Sequence, residues 1–171
     1  MPARFQYPVK RSPKSDPQQY RLYRMENEAI GARGYHTLTR PLIHALARSV
    51  CKNYRVPMVA LKWKNLKRTV AQWISPGVIE LNTKKLTAND MLTATHELAH
   101  HVHHWLSKGA DETQQNHGPE FMAVHMSILD TCRVIPVVGM RAICATWKIS
   151  FYDPGTGCSL DRLRRICRKI P

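Results

Sequence analysis

The sequence predicts an α+β domain, and three observations support that class. Between residues 58 and 81, apolar and polar residues alternate in short runs, which is the pattern of half-buried strands. On both sides of this region, apolar residues recur three and four positions apart, as on amphipathic helices. The chain has 171 residues, enough for one domain with a hydrophobic core and too few for two of ordinary size. We therefore expect a small antiparallel sheet packed on helices.

The first third of the chain is predicted to form a basic arm and two helices. Residues 1 to 17 carry four prolines and four cationic residues, a composition typical of an irregular arm. A first helix is expected over residues 20–30, and a loop over 31–39. An apolar stripe at helical spacing then predicts a stronger helix. The members of this stripe are Leu42, Ile43, Leu46, Ala47, Val50 and Cys51.

The strands are predicted at residues 58–64, 69–74 and 77–81. A turn signal, Ser75-Pro76-Gly77, separates the second run from the third. We expect Trp63, Val70 and Trp73 to face the core.

Helices are predicted for most of the remaining chain. The central helix is expected over residues 88–107, with Thr87 as its N-cap and Gly109 just beyond its end. A polar loop over residues 110–116 leads to a helix in which Pro119 suits the first turn. Two further helices are expected over 138–147 and 160–169.

The central helix carries the pattern H-E-x-x-H, at residues 96–100. Two histidines four residues apart lie on one helical face, so His96 and His100 can reach one metal ion. Glu97 follows His96 on the helix. It is placed to act on a metal-bound water molecule rather than to bind the metal itself. His117 offers a third nitrogen and leaves the fourth tetrahedral position open, as in catalytic rather than structural zinc sites. The pattern therefore indicates a metal-dependent hydrolase.

The third ligand has alternatives. A metzincin would need Gly at position 103 and His at position 106, where the chain has His103 and Leu106, so that class is excluded. A gluzincin-like site would use Glu112 or Glu120. His117 is the simpler choice, because an imidazole at the start of a helix can face the central helix across a short loop.

Two further expectations concern the surroundings of the ligands. Metal-bound histidines usually donate their other N–H group to a carboxylate or carbonyl, and Glu120 and Asp130 are candidate partners. His125 falls on a packing stripe, where we expect a core histidine rather than a ligand.

The charge of the chain is strongly positive. Twenty-six Lys and Arg residues against twelve Asp and Glu residues give a formal net charge of +14, which favours polyanionic partners and nucleic acid above all. One cationic cluster surrounds Trp63 and precedes Trp73, an arrangement that suits stacking on bases; alternatively, both Trp residues are core and the charges a solvated rim. The two clusters are Lys62, Lys64, Lys67 and Arg68, and Arg162, Arg164, Arg165, Arg168 and Lys169.

The cysteines and the N-terminus indicate the compartment. The five cysteines form no C-x-x-C pair, and free buried thiols favour a reducing environment. The N-terminus lacks an apolar signal region, and no run reaches the length of a membrane span. We expect a cytoplasmic protein of bacterial or phage origin, or a nuclear one, that is neither secreted nor membrane-bound.

The motifs resemble those of one known family. The segment H-E-L-A-H, a connection of sixteen residues, H-G-P-E-F, and the preceding R-T-V-A-Q-W-I-S-P-G-V-I-E-L-N are similar to the SprT/Spartan zinc metallopeptidases. The resemblance covers roughly residues 40 to 135. It implies a compact zincin-like domain, Zn²⁺ held by His96, His100 and His117, and Glu97 as the acid/base. Spartan-type members cleave proteins attached to DNA and need DNA for activity.

Three regions and two functions are therefore expected. The regions are a basic arm with a possible helix at 1–35, a SprT-like metallopeptidase domain at 36–135, and a basic helical extension at 136–171. The first function is zinc-dependent peptide hydrolysis, with DNA-associated or DNA-crosslinked proteins as substrates. The alternative is a non-catalytic basic nucleoprotein or virion component that retains a structural zinc site. Many members carry a cysteine zinc ribbon or a long disordered tail with partner motifs; this sequence shows neither, so partner recruitment is not carried over from the resemblance.

Overall fold

Six α-helices and a three-stranded sheet make up the described part of the computed structural model, which covers residues 16, 18–31, 36–74, 77–107 and 117–168. The α+β class is confirmed. The predicted arm (apart from Asp16), the loop over 110–116, most of the turn at 75–77 and Lys169 lie outside the described residues.

The helix predicted over residues 20–30 is present in two parts. Helix α1 (Gln19–Met25) runs directly into a π-helical turn, Glu26–Ile30. Such turns are rare and often occur at functional sites. Helix α2 (Arg40–Tyr54) has a proline in its first turn and ends at Arg55, whose φ of 52° is left-handed. Both helices bury their apolar stripes in the common core.

The sheet is mixed rather than wholly antiparallel. Strands β2 (Ala71–Ile74) and β3 (Val78–Asn82) pair antiparallel, as predicted, but β1 (Ala60–Lys64) lies on the other side of β3 and runs parallel to it. The expectation for β1 is therefore wrong. Alternation shows which face of a strand is buried, but it does not show the strand's neighbour. The residues on the core face of the sheet are Leu61, Trp63, Ala71, Trp73, Ile79 and Leu81.

Helix α3 (Met91–Leu106) is the centre of the fold. It is buried on nearly all sides, because β2 and α2 pack against it together with α4 and α6. The helix begins later than predicted: a 3₁₀ turn, Leu86–Asn89, precedes it, and Asp90 rather than Thr87 occupies the N-cap. Thr37 donates a hydrogen bond of 3.1 Å to the Asp90 carboxylate, so the chain before α2 is tied to the start of α3.

Three helices follow the site region: α4 (Pro119–Thr131), α5 (Val137–Thr146) and α6 (Leu160–Arg168). Helix α6 packs on α3 and α4, and the Arg168 Nε donates to the Leu106 carbonyl at 3.2 Å, at the C-terminal end of α3. The predicted boundaries at residues 35 and 135 stay predictions. None of the described helices is both long and apolar enough to cross a membrane.

Candidate metal centre and active site

Three imidazole rings meet at one point between α3 and the start of α4. His96 and His100 lie one turn apart on α3, and their Nε2 atoms are 3.2 Å apart. His117 lies two residues before α4, and its Nε2 is 3.3 Å from that of His96. The structure thus brings together the three histidines that the sequence predicts as ligands. Of the alternatives, Glu112 lies outside the described residues, and Glu120 is not a member of this group.

The separations of these nitrogens fit a tetrahedral metal ion. Metal–nitrogen bonds of about 2.0–2.1 Å at tetrahedral angles place neighbouring ligand nitrogens about 3.3–3.4 Å apart. The Nδ1 atoms of His96 and His117 each face a carboxylate. In the neutral rings the proton is therefore on Nδ1, and the Nε2 lone pairs point at one another. Converging lone pairs repel unless a cation lies between them, so the ring orientations suit a bound metal ion.

Two carboxylates that the sequence did not single out hold the ligand rings. The His96 Nδ1 donates to Glu26 Oε1 at 2.7 Å, and the His117 Nδ1 donates to Asp16 Oδ2. Both carboxylates are buried. Asp130, one of the two predicted partners, instead accepts a hydrogen bond from the Val137 backbone N–H at 3.3 Å. Glu120, the other, is buried in the first turn of α4.

Of these two carboxylates, only Glu26 could have been recognised from the sequence. Glu26 is four residues after Leu22 and four before Ile30, so it interrupts the apolar stripe of its own helix. A lone acid on a buried helical face requires a partner, because an unpaired buried charge is costly. Asp16 lies in the proline-rich arm, where no periodicity marks it.

Behind His96 the structure has a second buried layer. Glu26 Oε1 lies 3.6 Å from the His125 Nδ1, and both side chains are fully buried. Burial raises the pKa of Glu26 to about 7 and lowers the pKa of His125 to about 3, so His125 is neutral. Glu26 contacts His96 at Nδ1, the ring nitrogen that does not face His100 and His117. Glu26 and His125 therefore support the metal centre and do not form a separate site.

Glu97 faces the sheet next to the ligands. Its carboxylate is buried and accepts a hydrogen bond from the Trp73 backbone N–H on β2. Burial raises the pKa of Glu97 to about 8, although the bond from Trp73 opposes the shift. The Trp73 ring stacks beside His100, with centroids 6.4 Å apart, and forms a wall of the site.

The SprT-like family model matches residues 39–139, which is more than half of the chain. The chain belongs to the SprT-like family. No curated protein and no solved structure matches it. In this SprT-like chain the matched range contains the three histidines and Glu97, whereas Asp16 and Glu26 precede it.

Aromatic rings enclose the SprT-like centre on two sides. The Tyr23 ring, from α1, lies 5.6 Å from the His96 ring and 5.5 Å from the His117 ring. Phe121, from α4, is buried and lies 4.5 Å from the His100 ring. Burial raises the pKa of Tyr23, and the neighbouring Glu97 charge adds to the shift, so the phenol stays neutral. The rings shield the ligand nitrogens from bulk water.

The predicted cationic clusters lie away from these rings. On β1 and the loop after it, Lys62, Lys64, Lys67 and Arg68 are exposed, and Lys64 pairs with Glu80. Trp63 is half-buried, and its indole N–H donates to Asn89 at 3.3 Å, which favours the packing alternative for this residue.

Several cations of the second cluster also have protein partners. Arg162 donates to the Asp153 carbonyl, Arg164 pairs with Asp161, and Arg168 bonds the end of α3. Arg165 is exposed, and Lys169 lies outside the described residues. A nucleic-acid role for either cluster stays a prediction.

Proposed function

We propose that this SprT-like chain is a zinc-dependent metalloendopeptidase in which Glu97 is the general base. One observation carries the proposal: the Nε2 atoms of His100 and His117 lie 3.2 Å and 3.3 Å from that of His96, and the buried Glu97 is next to His96 on α3. Structural zinc sites usually have four protein ligands, whereas three histidines leave a position open for water.

The residues divide the chemistry between them. His96, His100 and His117 would hold zinc, which when bound polarises the scissile carbonyl and lowers the pKa of water. Glu97 takes the proton of the attacking water and passes it to the leaving amine. The Trp73 backbone N–H holds the Glu97 carboxylate in place for both transfers. The ring of Tyr23 and that of Phe121 limit the access of other water molecules.

The free edge of β2 suits an extended peptide. In the sheet order β1-β3-β2, β2 has β3 on one side and no strand of the described chain on the other. The Val70 carbonyl accepts from Asn82 of β3, so the backbone groups of Ala71 and the carbonyl of Trp73 point to the open side, where the Trp73 N–H already donates to Glu97. A substrate strand can pair with these groups by β-augmentation and pass the metal centre.

We further propose that the substrates are proteins bound to DNA. The net charge of +14 supports this, because a strongly positive protein is attracted to a polyanion such as DNA. The exposed Lys62, Lys67 and Arg68 supply cations beside the sheet.

DNA binding by this route is expected to be strongly salt-dependent. Each phosphate contact contributes about 0.7–0.9 to the slope of log affinity against log salt. The double variant Lys67→Gln, Arg68→Gln is expected to lower that slope by about 1.4–1.8 in fluorescence-anisotropy titrations. The pair Arg48→Gln, Lys52→Gln removes the same charge from exposed positions on α2 and should change the slope less. Salt-independent binding, or none, would remove DNA from the proposal.

A combined metal and protease assay tests the function as a whole. Purified chain is analysed for zinc by mass spectrometry and incubated with a DNA-binding protein substrate, with and without single- and double-stranded DNA. Zinc binding with cleavage supports the peptidase. Stoichiometric zinc without cleavage under any of these conditions would support the non-catalytic alternative.

A further inference from the structure

Asp16 and residues 18–30 form one wall of the metal centre, although they precede the range that the SprT-like family model matches. We propose that this segment is a functional part of the centre, in which Glu26 and Asp16 act as positioning residues for His96 and His117. The inference deepens the proposed function and rests on its metal site, but it does not depend on the identity of the substrate.

Glu26 fixes the orientation of His96. Its Oε1 accepts the Nδ1 proton of His96 at 2.7 Å, which leaves the Nε2 lone pair aimed at His100 and His117. Glu26 is the first residue of the π-helical turn, and its side chain is fully buried. The Nδ1 of His125 lies 3.6 Å from the same oxygen. The carboxylate oxygen is therefore close to two buried imidazole rings.

Asp16 and Gln18 fix His117 in the same way. Asp16 Oδ2 accepts the Nδ1 proton of the His117 ring, and the Gln18 side-chain amide donates to the His117 carbonyl at 2.6 Å. The same Gln18 amide donates to the Ser150 carbonyl at 3.0 Å and accepts from the Ser150 N–H at 2.7 Å. The segment thus holds both the ring and the backbone of this ligand, which lies next to the undescribed residues 108–116.

The charges of the two carboxylates also suit a metal ion. A divalent cation bound by three neutral imidazoles keeps a charge of +2 in a buried place, and such a charge is stable only when paired. Among the described residues, Glu26 and Asp16 are acids in hydrogen-bond contact with the ligand rings, and two carboxylate charges would balance it. Outer carboxylates of this kind typically change metal affinity by about 10–100-fold.

The test compares Glu26→Gln and Asp16→Asn with Glu28→Gln in the full chain. Gln and Asn keep the shape of the acids and an oxygen that accepts the Nδ1 proton, but they remove the charge. Glu28 is a matched control, because it lies in the same π-helical turn, is half-exposed, and pairs with Arg24 at the surface. Zinc affinity is measured by competition with a chromophoric chelator.

We expect Glu26→Gln and Asp16→Asn each to weaken zinc binding by about 10–100-fold, and Glu28→Gln to leave it unchanged. Without metal, Glu26→Gln should melt close to the wild-type chain, because Gln keeps the shape of Glu26 and an oxygen that accepts the His96 Nδ1 proton. A residue that only supported the fold would instead lower the melting temperature with and without zinc. The visible spectrum of the cobalt-loaded variants should also change, because the ligand rings are less constrained.

Wild-type zinc affinity in both folded variants would overturn the inference, as would equal losses of melting temperature with and without metal. Should Glu26→Gln fail to fold, Asp16→Asn provides the same test at an independent ligand. A wild-type chain that binds zinc and cleaves nothing would refute the proposed peptidase while leaving the affinity comparison intact, so the two failures are distinguishable.

Discussion

Replacement of Glu97 by Gln is expected to lower peptide cleavage by about 10²–10⁴-fold, the usual contribution of a general base. Gln has the shape of Glu and its side-chain oxygen can still accept the Trp73 N–H, so the fold and the ligand set are retained. Its amide, however, cannot accept a proton from water. Zinc content should therefore stay at the wild-type level while turnover of a DNA-binding protein substrate falls.

The matched control for this prediction is again Glu28→Gln, which makes the same chemical change at a half-exposed position. It should retain full activity. Undiminished cleavage by folded, zinc-loaded Glu97→Gln would show that another group is the base.

Replacement of His117 by Ala is expected to abolish stable zinc binding. The two histidines of α3 would remain as a two-ligand site, which holds the ion too weakly to survive dialysis against a mild chelator. The variant would also lose the stabilisation that zinc gives the folded state, which is about 4 kcal/mol at a free concentration 1,000 times the dissociation constant. Zinc stoichiometry and the zinc-induced shift in melting temperature measure the two effects.

His104→Ala is the control for a lost imidazole. His104 lies on α3 with its ring 5.1 Å from Trp73, and it is not a member of the ligand group. This variant should bind zinc as the wild type does. If His117→Ala kept its full zinc content, the third ligand would have to be another side chain, such as Glu112 or Glu120.

The parts of the site that the sequence predicted are those that local geometry dictates. A spacing of four residues on a helix places His96 and His100 on one face whatever the rest of the fold does. His117 was found because a proline two residues later marks the start of the next helix. The central helix was predictable from its length and apolar content, although its exact start depended on the 3₁₀ turn before it.

The parts that were missed depend on contacts between distant positions. Nothing in the alternation of residues 58–64 shows that β1 takes the far edge of β3 rather than pairing with β2. Asp16 and Glu26 contact ligands that are 101 and 70 residues away in sequence. A single sequence does not show which residues so far apart are in contact. Trp73 was expected to face the core or to stack on a nucleobase, but its backbone N–H donates to Glu97, the proposed general base.

The Gln18 side chain sets an order of assembly. It bonds to positions 99 and 132 residues further along the chain. Contacts of such sequence separation form late, because the closure of the intervening loop must precede the gain from the bond. On the ribosome, Gln18 is made before both of its partners, and its two bonds to Ser150 cannot form until Ser150 has been synthesised. This wall of the metal centre is therefore completed only after Ser150 has been made, and a chain stalled before that residue lacks the full set of contacts.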